Sequence, residues 1–124
     1  MTTMRLGESD LEPTRVILGA WAFGGWMWGG QAEEDSLQAV ETSLAAGIRA
    51  IDTAPVYGFG RSEEIVGKAI RGHREEVLIF TKCGLRWDRD DGELRFVSHG
   101  PDGSQQPIYY LSLIHISEPT RPRL

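Results

Sequence analysis

An α/β fold built on a parallel sheet is what the sequence predicts, and three observations carry the prediction. Three short, mainly apolar runs, residues 16–18, 48–51 and 77–81, have strand length and strand composition. Two stretches between them, residues 33–46 and 63–71, have helical spacing. The connections are short. A β-α-β-α-β order of this kind favours right-handed parallel crossovers. Both an open doubly wound sheet and a (β/α)8 barrel use it, and element order alone leaves both open.

Taken in order, residues 4–13 place the turn signal Gly7-Glu8-Ser9-Asp10 between short apolar pieces, which predicts a β-hairpin. Val16-Ile17-Leu18 ends at Gly19 and reads as a strand buried on both faces. Residues 19–30 (GAWAFGGWMWGG) hold three of the four tryptophans in a glycine-dense loop. Loops are normally polar, so these aromatic faces are expected to line a pocket.

In residues 33–46, Leu37, Val40 and Leu44 fall on one helical face, acids fill the first turn, and Gly47 suits the residue just past the C-cap. A second strand ends at Asp52. The loop TAPVYGFG leads to Ser62, an expected N-cap, and to a helix that turns Ile65, Val66, Ala69 and Ile70 inward. A third buried strand, VLIFT, ends at Lys82. From residue 84 to 107 the periodicity stops. Leu94-Arg95-Phe96-Val97 is expected to form half of a small hairpin, and the third helix that should follow the third strand is not evident.

Bulk properties narrow the function. The 124 residues carry a net charge of −5 and no run of Lys or Arg, so neither nucleic acid nor an anionic membrane is an expected partner. No stretch approaches the ~20 apolar residues of a membrane helix. The N-terminus lacks the apolar core of a signal peptide, and Cys83 is the only cysteine. A cytoplasmic protein is expected.

Asp52, Tyr57 and Lys82 each lie at or just after the C-terminal end of an expected parallel strand, the ligand side of either architecture. Singly, such residues are most often a loop carboxylate, a packing aromatic and a solvated lysine. Together they suit general-acid chemistry on a carbonyl. A free phenol has a pKa of about 10 and donates reluctantly at neutral pH. A neighbouring ammonium stabilises the phenolate that donation leaves, and a carboxylate paired with the ammonium holds it in place. A carbonyl receiving that proton can accept a hydride at carbon. Gly58-Phe59-Gly60 imitates a dinucleotide fingerprint. Glu63 stands where a third glycine is needed, and Lys82 where a ribose-binding acid is expected, so the motif is rejected.

IDTAPVYGFGRSEEIVGKAI (residues 51–70) resembles the signature of the aldo-keto reductase family. LGAWAFGG (18–25) resembles that family's first strand motif, VLIFTKCG (77–84) its lysine-bearing strand, and residues 5–19 the hairpin that plugs its barrel floor. The resemblance covers residues 4–110, with the bacterial general-stress and inositol-catabolism type most similar. It implies the N-terminal portion of a (β/α)8 TIM barrel, incomplete, made of the hairpin and the first three strands with their helices.

The resemblance also implies an oxidoreductase that reduces an aldehyde or ketone with NADP(H), the small carbonyl compound being its partner. Tyr57 would be the proton donor, Lys82 would assist it, and Asp52 would pair with Lys82. Ala20, Trp21 and Asp52 would touch the nicotinamide–ribose end of the cofactor. Trp26 and Trp28 would shape the substrate pocket or merely cover the rim. No metal is implied. A second function is a cofactor-sensing binding module without turnover, as in the potassium-channel β-subunit relatives.

The sequence departs from the family in two places. The family's catalytic His, at the end of a fourth strand, has no counterpart except His115, which lies in LSLIHISEPTRP (111–122). That stretch resembles the in-frame translation of a transposon-type sequencing adapter, so residues 111–124 are expected to be a non-native tail. His99 and His73 are expected to be a loop residue and a solvated helix-end residue. The later strands, which would hold most of the cofactor, are absent, so the chain alone is expected to be inactive.

Overall fold

The computed structural model describes residues 1–111. The expected adapter-like tail, with His115, lies outside the described residues from 112 onward. The chain divides into two units, Met1–Lys82 and Cys83–Leu124.

In the first unit, the hairpin expected at 4–13 is present. Met4 N–H donates to Pro13, Leu6 N–H to Leu11 and Arg15 N–H to Thr2, around an antiparallel bridge between Thr3 and Thr14. Three strands follow, β1 (Leu18–Gly19), β2 (Ala50–Asp52) and β3 (Leu78–Phe80), all parallel and side by side in the order β1-β2-β3. Helix α1 (Glu33–Ala45) connects β1 to β2, and α2 (Arg61–Ala69) connects β2 to β3.

Each helix buries the face its spacing chose. Val40 is fully buried between half-buried Leu37 and Leu44, and Ile65, Val66 and Ile70 join Ile51, Phe23 and Val77 in one core. Neither helix has a side-chain N-cap. Glu33, Glu34 and Asp35 in the first turn of α1 oppose its macrodipole instead. At its C-terminus Gly47 adopts φ +87°, its N–H bonds Leu44, and the N–H of Ile48 bonds Ser43, the paired closure that a left-handed residue permits.

Two strand expectations need correction. Val16 and Ile17 are 52% and 43% exposed, because the ladder with β2 starts only at Leu18 and β1 has β2 on one side alone. The third strand is half-buried along Leu78–Phe80, with only Val77 before it fully inside. The central strand is the buried one, through Ala50 and Ile51.

The described part of the second unit is an antiparallel sheet. β4 (Leu85–Arg86) and β5 (Glu93–His99) both pair with β6 (Gln105–Tyr110). The half-hairpin expected at 94–97 is thus part of a full one, with a register shift between Leu94 and Phe96. Its turn closes through Gly100 N–H to Ser104 and Gly103 N–H to Gly100, and the Asp102 carboxylate accepts the N–H of Ser104. Ile108 is completely buried, whereas Leu94, Phe96 and Val97 are exposed. No third helix follows β3 among the described residues.

Candidate active site

The C-terminal ends of β1, β2 and β3 deliver the expected residues to one place. Asp52 closes β2, and Lys82 follows β3 by two residues. The Lys82 ammonium donates to Asp52 Oδ2 at 2.8 Å and to the Thr53 carbonyl at 2.9 Å. It also stands 4.8 Å from the centroid of the Tyr57 ring, within cation–π range. The structure therefore brings together all three residues picked from the sequence.

Lys82 and Asp52 are 47% and 40% exposed, so the pair faces the mouth and water screens it in part. Partial burial alone pushes the Lys82 pKa down. The Asp52 carboxylate, and after it the nearby Tyr57, outweigh that effect and hold it above the ordinary lysine value. The ammonium is therefore charged at neutral pH.

Trp21 stacks on Tyr57, with centroids 5.5 Å apart and planes 14° from parallel. Trp28 meets Trp21 edge-on at 5.8 Å, Trp26 lies 6.3 Å away, and Phe59 packs on Trp26 at 5.7 Å. The aromatic loop of residues 19–30 thus gathers over the phenol, with Trp21 in a short 3-10 turn, Trp21–Gly24. Ala20, by contrast, is completely buried. A ligand at this mouth would meet the indole of Trp21 and the carboxylate of Asp52 before it met Ala20. A part-exposed, ion-paired carboxylate and an exposed indole have the chemistry to meet a sugar hydroxyl and a planar ring, the two parts of a nicotinamide riboside, so these residues fit that group.

Three features escaped the sequence reading. Gly24 and Gly58 bring their loops together backbone to backbone. A Cβ on Gly24 would lie 2.6 Å from Gly58 Cα and from the Tyr57 carbonyl. Ser62 is not the N-cap. Gly60, at φ +94°, occupies that place, and Ser62 sits inside the first turn, fully buried. Its hydroxyl donates to the Ala20 carbonyl at 2.7 Å and lies 3.0 Å from the buried Thr53 hydroxyl. Leaving such a group unpaired costs about 1–3 kcal/mol. Partners 42 residues apart give no local sequence signal. A serine ahead of two glutamates reads as a cap by every nearby cue.

The rejected Gly58-Phe59-Gly60 motif also has its explanation here. Gly58 makes the close approach, Gly60 caps α2, and Phe59, at φ +57°, supports Trp26. His73 pairs with Glu76 at 3.2 Å on the surface, away from the trio in sequence and in its contacts. Among the described residues no helix is long and apolar enough to cross a membrane.

Comparison with known proteins gives a consistent picture. The model of the Aldo/keto reductase family matches residues 15–106. The chain is 50% identical over 84 residues to the aldo-keto reductase YhdN of Bacillus subtilis (strain 168), covering 66% of this chain and 25% of that protein. The structure is similar to that of the glycerol dehydrogenase AKR11B4 from Gluconobacter oxydans, with a TM-score of 0.65 and 38% identity, over 88% of this chain and 30% of that one. It is also similar to an aldo-keto reductase from Klebsiella pneumoniae in complex with NADPH, with a TM-score of 0.55 and 33% identity, over 66% and 28%. The chain thus spans about a quarter to a third of the length of these relatives.

Proposed function

The chain belongs to the aldo/keto reductase family, and on that premise we propose that the whole protein is an NADP(H)-dependent oxidoreductase that reduces an aldehyde or ketone. Within residues 1–110, the hairpin and the three parallel strands with their two helices supply the first part of its (β/α)8 barrel. The observation that carries the reading is the placement of the Lys82 ammonium, 2.8 Å from Asp52 Oδ2 and 4.8 Å from the centre of the Tyr57 ring. NADP(H) as the cofactor is supported by the NADPH complex of the Klebsiella relative.

The residues divide the work by their chemistry. The nicotinamide, when bound, supplies a hydride. Tyr57 gives its phenolic proton to the carbonyl oxygen, so that the oxygen leaves the reaction as a hydroxyl. Lys82 stabilises the phenolate left on Tyr57, and its raised pKa keeps it an ammonium while it does so. Asp52 fixes Lys82 and, with Trp21, would hold the ribose and ring of the cofactor, while Ala20 is part of the buried core. Trp26 and Trp28, grouped on Trp21, wall the substrate side.

A chimera tests the reading, with residues 1–82 replacing the matching segment of the Bacillus relative. Carbonyl-dependent oxidation of NADPH is expected, falling by about 10²-fold or more in Tyr57→Phe. A folded chimera that binds NADPH and turns over no aldehyde, or whose turnover survives Tyr57→Phe, overturns it. The 124-residue chain alone is expected to show no turnover, since it holds only the opening part of the barrel. Tyr57-dependent turnover by that chain would overturn this narrower expectation.

A further inference from the structure

We propose that Ser62 is a positioning residue for the site, tying the peptide that carries Trp21 to the backbone of Tyr57 and so fixing the stack of those two rings. Three bonds carry the inference. The Ser62 hydroxyl donates to the Ala20 carbonyl at 2.7 Å, and that carbonyl belongs to the same peptide unit as the Trp21 nitrogen. The Ser62 backbone N–H donates to the Tyr57 carbonyl at 3.2 Å. The hydroxyl also lies 3.0 Å from that of Thr53, whose carbonyl in turn accepts the Lys82 ammonium. One side chain thus joins the end of β1, the end of β2 and the first turn of α2.

The neighbourhood explains why such a tie is needed. Trp21 opens a single 3-10 turn and Tyr57 stands in the turn ahead of α2, neither within a long regular element, and Trp21 is 39% exposed. Gly24 and Gly58 let these loops touch but offer no side chain to hold them in register. A serine in the first turn of a helix ordinarily turns its hydroxyl to water or to its own backbone. This one is completely buried and bonds a carbonyl 42 residues earlier in the chain. The stack it fixes is the surface that the phenol shows to a substrate. That consequence rests on the oxidoreductase reading, whereas the geometry does not.

The experiment is proton NMR of the 124-residue chain, reading the ring-current shift that Trp21 imposes on the Tyr57 ring protons. The chain has three tyrosines, and Tyr57→Phe assigns the signal. Trp21→Leu defines the unstacked position. Ser62→Ala is expected to move the Tyr57 resonances most of the way to that position. Val66→Ala, a buried change on the same helix, is expected to leave them in place. Tyr57 resonances unmoved in Ser62→Ala, or moved as far by Val66→Ala, overturn the proposal. Should Ser62→Ala fail to fold, Ser62→Cys, a weaker donor of nearly the same size, takes its place with the same outcomes. Neither cofactor nor turnover enters the measurement, so failure of the oxidoreductase reading leaves it intact.

Discussion

Gly24 and Gly58 touch through their backbones: a Cβ on Gly58 would lie 2.4 Å from both the Cα and the carbonyl oxygen of Gly24. The loop that carries Trp21 and the loop that carries Tyr57 approach as closely as they do because neither glycine has a side chain. Gly58 also adopts φ +61°, which L residues rarely take.

Gly58→Ala therefore incurs two costs, and Gly7→Ala measures one of them separately. Gly7 has φ +58° and nothing near its absent Cβ. Its substitution is expected to cost roughly 1–2 kcal/mol for the left-handed backbone. Gly58→Ala adds roughly 1–3 kcal/mol of displacement on top of that. Urea midpoints compare the two, and equal losses would show that the backbone contact is not held in solution.

Lys82 titration follows from its two neighbours. Its pKa is raised, so the stability contributed by its ion pair is complete below the ordinary lysine value and is lost as pH rises through the raised one. Lys68 is the only other lysine, which makes ¹³Cε NMR of the chain readable. Asp52→Asn is expected to lower the Lys82 midpoint, because burial then acts with less opposition. A midpoint that does not move contradicts the pairing.

Stability and activity should separate at Lys82. Both members of its ion pair are more than one-third exposed, so Lys82→Met is expected to change folding stability by less than about 1 kcal/mol. The same change in the chimera should reduce turnover by about 10²-fold or more. A large loss of stability with little loss of turnover would assign Lys82 a structural role.

Glu33 and Lys68 link α1 to α2 at 2.6 Å on the surface. The hydrogen bond from Lys68 holds the Glu33 carboxyl below its ordinary pKa. Its contribution is therefore present above that ordinary value and fades as pH falls through the lowered one. Thermal melts of Glu33→Gln should show a shallower acid limb than the parent chain, and limbs of equal slope would count against the link.

Ile108 is the one completely buried apolar side chain among the described residues of the second unit. Ile108→Ala is expected to cost its sheet about 2–5 kcal/mol, more than a three-stranded sheet readily spares. Loss of the amide dispersion of Glu93–His99 and Gln105–Tyr110, with that of Ala50–Asp52 retained, is the expected NMR outcome. Retention of both would show that Ile108 is not the keystone of that sheet.

Elements set by near neighbours were legible. The helix over Glu33–Ala45 declared itself by a 3.6-residue period and a terminal glycine, and the turn at Gly7–Asp10 by its residues. The parallel strands were legible as apolar runs, but the exposure of Val16 and Ile17 was not, since it depends on which strands lie beside β1. The antiparallel pairing of Glu93–His99 with Gln105–Tyr110 was half-read, because those segments lack the clean alternation that marks a strand with one dry face.

By itself the sequence determined the β-α-β-α-β order of the first unit, the strand ends at which Asp52 and Lys82 stand, and the aromatic loop that supplies Trp21. These are properties of short stretches, written in period and composition. Only the tertiary structure decided that Ser62 turns inward to Ala20 rather than capping its helix, and that Gly24 meets Gly58. Both contacts join residues more than 30 positions apart. The packing of β1 and β2 side by side brings their loops together, and a buried hydroxyl must then find its partner there.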